Sequence, residues 1–80
     1  MQLFTRTQCA DCRLVARWLE RHAVDNLVQV DVDTVDGAAE SDFQDVLSTP
    51  TLIDDGGARY TGAEDIVRVL KSRKVRRVHT

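Results

Sequence analysis

Cys9-Ala10-Asp11-Cys12 sets two thiols two residues apart, where the apolar run Leu3-Phe4 gives way to a helix-like pattern beginning near Arg13. With a βαβ pattern around it and no secretory signal in view, this spacing reads as a thiol–disulfide redox motif. A helix starting at the motif brings unpaired backbone N–H groups and a partial positive charge to the first sulfur. The thiolate is the reactive form of cysteine, so such a field favours the nucleophile. Cys9 is therefore the candidate nucleophile, and Cys12, one helical turn on, the candidate resolving thiol.

Working outward, Gln2 to Thr5 is a short apolar strand. From Arg13 to His22, Leu14, Val15, Trp18 and Leu19 recur at three- and four-residue spacing, with Arg13, Arg17, Glu20 and Arg21 opposite. That pattern predicts an amphipathic helix with one buried face. Between Leu27 and Asp33, Val28, Val30 and Val32 alternate with Gln29, Asp31 and Asp33, the signature of a strand. Strand, helix and strand make a βαβ unit with parallel strands. Asp36 to Gln44 fits a short or partly formed helix with Asp36 as its N-cap, and Val46 and Leu47 tuck it against the sheet. Thr51-Leu52-Ile53 is a third strand. The Asp54-Asp55-Gly56-Gly57 turn then returns Ala58 to Thr61 as a fourth. After Gly62, the segment from Ala63 to Lys74 is a helix with Ile66, Val67, Val69 and Leu70 on its apolar side. The expected fold class is α/β: βαβ-α-ββα, a four-stranded mixed sheet flanked by helices. The domain is expected over residues 1–74, with a basic tail over 75–80.

A chain of 80 residues makes one small domain. A disulfide between Cys9 and Cys12 encloses too short a loop to restrain the unfolded chain much, so chemistry explains the pair better than stapling does. The formal net charge of −2 does not point to nucleic acid. Charge is unevenly spread: nine carboxylates and no Lys or Arg lie between Arg21 and Arg59, whereas Lys71, Arg73, Lys74, Arg76 and Arg77 crowd the end. This is either a solvated surface or a docking surface for a protein partner. With no charged n-region, no h-region and no apolar span of about 20 residues, a cytoplasmic protein without membrane partners is expected.

Cys-x-x-Cys at the first strand–helix junction, followed by Thr49-Pro50 opening a ββα unit, resembles the thioredoxin fold in its smallest form. Glutaredoxins, and the glutaredoxin-like electron donors of ribonucleotide reductase, are most similar in length and layout. The resemblance runs over residues 1–74. It implies Cys9 as nucleophile, Cys12 as resolving cysteine, and a cis peptide before Pro50 that sets the Thr49 backbone beside Cys9 to pair with a substrate peptide or glutathione. Thr61-Gly62-Ala63-Glu64-Asp65 resembles the family segment that receives the γ-glutamyl end of glutathione at the last helix. The implied binding residues on that side are Gly62, Ala63 and Glu64. Those on the other side are Ser48, Thr49 and Pro50, with Arg6 where the family commonly has a lysine. Ala10 and Asp11 stand where glutaredoxins usually carry Pro and an aromatic residue. The implied activity is dithiol reduction of protein or glutathione mixed disulfides by a monomer with no bound cofactor, recharged by glutathione or by a flavin-dependent thioredoxin reductase.

Other readings of the same residues remain open. A structural zinc site needs four ligands, and His22 and His79 do not complete a finger spacing, so no metal is expected. A subunit-bridging iron–sulfur cluster held by Cys9 and a glutathione thiol is an alternative, as is a non-catalytic redox-sensing domain that docks a partner through its basic end. His22 suits a C-terminal-turn cation, and Trp18 suits core packing. Tyr60 either packs beside the hairpin or lines the groove.

Overall fold

The computed structural model describes residues 1–73; the expected basic tail lies outside the described residues. The elements run β1 (Gln2–Thr5), α1 (Ala10–Arg21), β2 (Val28–Asp31), α2 (Val35–Phe43), β3 (Thr51–Ile53), β4 (Arg59–Thr61) and α3 (Ala63–Arg73). One four-stranded sheet has the order β2-β1-β3-β4. β1 pairs parallel with β2 and antiparallel with β3, and β3 pairs antiparallel with β4. The α/β architecture and the element order match the expectation.

The inner strands show why. In β1, Leu3 and Phe4 are adjacent and both buried, so they face opposite sides of the sheet, and apolar neighbours signal a strand covered twice. Leu3 joins Val15, Leu52, Ala63, Ile66 and Leu70 beneath α1 and α3. Phe4 joins Val32 and Ile53, with Val30 and Val46 against them, on the opposite side. The result is three layers, with the sheet in the middle. The outer strand β2 is less covered: Val30 and Val32 pack on the Phe4 side, but Val28 is 59% exposed, so the side the three valines share is open at its start.

Three expectations need correction. α1 begins at Ala10, at the cysteine motif as expected and with Cys9 as N-cap, but its apolar side differs from the expected one. Its buried positions are Cys12 and Val15, while Leu14 is 53% exposed on the flank. α2 is formed, and its N-cap is Thr34 rather than Asp36: the Thr34 hydroxyl accepts from Gly37 N–H at 2.9 Å and donates to the Asp31 carbonyl at 2.8 Å. Of the two residues expected to tuck α2 down, Val46 packs with Phe4 and Ile53, whereas Leu47 is 97% exposed.

Buried Gly37 lets α2 close on β2, because a Cβ there would collide with the Asp31 carbonyl oxygen. Glu40 ties the same helix to β1 by accepting from Gln2 at 3.0 Å and Gln44 at 3.2 Å, which holds its carboxyl below the usual range. In the β3–β4 turn, Asp54 accepts from Gly56 and Ala58 N–H, and Gly57 takes φ +87°. Tyr60 belongs to the hairpin: its hydroxyl donates to Asp54 Oδ2 at 3.3 Å. Trp18 is half-buried against the α1–α3 core and stacks on His22 with ring centres 4.3 Å apart.

Candidate functional site

The β1–α1 loop leads into Cys9, with Cys12 in the first turn of α1, and the loop is pinned from outside. Asp33 accepts from Thr7 N–H at 3.0 Å and pairs with Arg6 Nε at 3.3 Å. The Thr7 amide first, and then the Arg6 guanidinium, hold its carboxyl below the usual range. Cys9 follows in an extended conformation, φ −152° and ψ 110°, as the N-cap of α1. Its carbonyl accepts from Arg13 N–H at 3.1 Å, and its sulfur accepts from Cys12 N–H at 3.2 Å.

Cys9 and Cys12 are joined as a disulfide, with Cα atoms 5.1 Å apart, inside the range such bonds take. The two sulfurs belong to unequal environments. Cys12 is only 4% exposed, while Cys9 is half-buried and reachable. Attack by an outside thiolate depends on access, so the Cys9 sulfur is the one open to it.

Thr49-Pro50 faces Cys9 from the other side of the cleft. The Thr49 carbonyl oxygen lies 3.6 Å from Cys9 Sγ and the Thr49 hydroxyl 3.8 Å. The Thr49–Pro50 peptide is cis, and Pro50 is fully buried. The Pro50 carbonyl accepts from Gly62 N–H at 3.3 Å, which joins this loop to the start of α3. There Gly62 adopts φ +82°, a conformation natural to glycine, and Ala63 N–H donates to Asp11 Oδ2 at 3.3 Å. Three segments distant in sequence thus close around the sulfurs.

The remaining expected binding residues fall on two sides of that cleft. Arg6, Ser48 and Thr49 line one small hollow with Val32, Val46 and Leu47. Arg6 is held in its pair with Asp33, and the Ser48 carbonyl accepts from the Thr51 hydroxyl at 2.7 Å. Ala63 and Glu64 line a groove between α1 and α3, together with Leu14, Val67, Arg68 and Lys71. Glu64 reaches solvent and pairs loosely with Arg68 at 3.7 Å.

Two contacts were not legible in the sequence. Asp11 reads there as a charge beside the thiols, yet it caps a helix 52 residues away. Asp33 reads as the polar end of a strand, yet it fastens the loop before Cys9. Both depend on where the fold brings the second partner.

Among the described residues no group of three or more His, Cys, Asp or Glu is placed to hold a metal ion. No helix among them is long and apolar enough to cross a membrane. Comparison with models of known families, with curated proteins and with solved structures finds no match.

Proposed function

We propose that this chain is a dithiol–disulfide oxidoreductase with a small thioredoxin-like, glutaredoxin-like fold. One observation carries the reading: a Cys9–Cys12 disulfide at the mouth of α1, its reachable sulfur beside Thr49 and the cis Pro50. The four-stranded sheet, with helices on both faces and a ββα second half, supports the same fold type.

In the working direction the reduced protein presents Cys9 as a thiolate at the helix N-terminus. The Cys12 N–H and the end of the helix stabilise its charge. It attacks a substrate disulfide, forming a mixed disulfide and expelling one substrate thiolate, which takes up a proton. Cys12 then loses its proton and attacks the Cys9 sulfur, releasing the second substrate thiol. The protein loses two electrons and two protons to the substrate and is left with the Cys9–Cys12 disulfide. A reducing thiol, glutathione, or a flavin-dependent thioredoxin reductase returns them through the reachable Cys9 sulfur. Thr49, with its backbone at the cleft, is placed to pair with an extended substrate segment, as in strand addition.

The test is turnover of a mixed-disulfide substrate with NADPH, coupled either to glutathione and its reductase or to thioredoxin reductase. Turnover is expected in at least one arm and is lost in Cys9→Ser. Cys12→Ser accumulates the mixed disulfide on Cys9. Full activity of Cys9→Ser, or no turnover in either arm, overturns the proposal.

A further inference from the structure

We propose that Asp11 is a specificity-determining residue, its carboxylate at the start of α3 turning the cleft against anionic disulfides and towards neutral or cationic ones. The inference rests on the oxidoreductase reading and names the substrate class that this site takes.

Asp11 immediately precedes Cys12 and lies in the first turn of α1, and its Oδ2 accepts from Ala63 N–H at 3.3 Å. A helix N-terminus is where a substrate carboxylate finds amide donors. Here the Ala63 amide already holds the chain's own carboxylate, and the Gly62 amide is directed to the Pro50 carbonyl. An anionic arm approaching from the α3 side therefore meets negative charge and two occupied donors.

The neighbouring charges do not reverse this. Glu64 and Asp65 add two carboxylates in the first turn of α3, and Arg68 pairs with both, at 3.7 and 3.4 Å. One guanidinium is thus shared between two anions. On the Thr49 side, Arg6 is paired with Asp33. Arg13 follows Asp11 by two residues, and residues so spaced on a helix do not share a face. With Asp11 turned to α3, Arg13 lies well round the helix from it.

The effect has a calculable size. At a separation of about 8 Å in a nearly aqueous dielectric, changing the near arm from a unit anion to a unit cation alters the rate roughly sixfold. Such exposed charges lie within a Debye length at low ionic strength and are screened at high.

The experiment uses the fully reduced chain and three disulfides: cystamine, a dication; bis(2-hydroxyethyl) disulfide, which is neutral; and glutathione disulfide, a net dianion. Second-order oxidation rates are measured for wild type and Asp11→Asn at about 20 mM and about 0.5 M salt. Asparagine keeps an oxygen to accept from Ala63 N–H and removes only the charge. Comparing ratios between variants cancels the intrinsic reactivity of each disulfide. The cystamine-to-glutathione-disulfide rate ratio should fall about sixfold in Asp11→Asn at low salt, with the difference closing at high salt. An unchanged ratio, with the neutral disulfide still reacting, overturns the role of Asp11 and leaves the oxidoreductase reading standing. Failure of all three disulfides to oxidise the wild type overturns both. Should Asp11→Asn not fold, the wild type alone decides: its ratio must drop as salt rises, and a salt-independent ratio overturns the inference.

Discussion

Replacing Gly37 with alanine should destabilise this protein, although the same change in most helix interiors stabilises. Gly37 is the third residue of α2, and on helix propensity alone alanine gains about 1 kcal/mol. The added methyl, however, would sit on the Asp31 carbonyl oxygen and within 2.8 Å of the Thr34 hydroxyl oxygen. The first obstacle is backbone and cannot rotate away. The second is the N-cap, bonded both to Gly37 N–H and to the Asp31 carbonyl. Relief requires α2 to lift from the sheet end. Overpacking of this kind costs about 1–3 kcal/mol, and a weakened threonine cap about 1 more. Against a propensity gain of about 1, the net loss is about 1–3 kcal/mol. In a chain this small each kilocalorie lowers the melting temperature by about 4–8 °C. Urea unfolding followed by far-ultraviolet circular dichroism reads the loss as a lower midpoint at unchanged slope. Ala39→Gly, at an exposed position of the same helix, is the control and should lose about 1 kcal/mol through propensity alone. A Gly37→Ala protein more stable than wild type by about 1 kcal/mol would refute the close approach of α2 to β2.

Two further outcomes follow from the site's surroundings. In the reduced protein, a brief pulse of iodoacetamide should alkylate Cys9 well before the buried Cys12, read by peptide mass spectrometry; equal labelling would contradict their unequal exposure. Asp33, Glu40 and Asp55 all titrate below their ordinary values, because Thr7 and Arg6, Gln2 and Gln44, and the Met1 amino group respectively favour their charged forms. A lowered folded value means the stabilisation is complete above the ordinary values, 4.5 for Glu40 and 3.8 for the aspartates, and is lost as pH falls through the lower folded ones. Urea midpoints should therefore drop below about pH 4, less steeply in Asp33→Asn; an identical acid profile in that variant would remove Asp33 as a contributor.

How far the sequence speaks for itself depends on how local each signal is. β1 and β3 were legible to the residue, because the apolar Leu3-Phe4 run ends at polar Arg6, Thr7 and Gln8, and β3 stands between Pro50 and the Gly56-Gly57 turn. The start of α1 was legible from the cysteine motif rather than from a cap, since Cys9 lies outside the usual capping set of Ser, Thr, Asp, Asn and Gly. Thr34 and Asp36 both suit a cap by type. Thr34 is the cap because its hydroxyl reaches two partners at once, donating to the Asp31 carbonyl while accepting from Gly37 N–H. Leu14 has the chemistry of a core residue but lies one helical step from Val15, and α1 rests on the sheet through Cys12 and Val15 instead. At the site, the cysteine pair and Thr49-Pro50 were legible as motifs. Their facing one another, and the reach of Asp11 to Ala63, are properties of the closed chain.

What holds the Cys9 sulfur in place is then the fold more than the disulfide. A bridge that spans two intervening residues restrains little of the unfolded chain, so breaking it removes little stability. The restraints that persist on reduction come from elsewhere: Asp33 on the loop before Cys9, Thr49 across the cleft, the Gly62 amide on the Pro50 carbonyl, and Asp11 on Ala63. The last three join elements that also share one core, since Leu3, Val15, Leu52, Ala63 and Ile66 come from β1, α1, β3 and α3. Three of these four contacts involve neither sulfur, so they do not depend on the bond between Cys9 and Cys12. A core substitution such as Ile66→Ala, at a cost of about 2–5 kcal/mol, should therefore disturb the geometry of the cleft as well as stability.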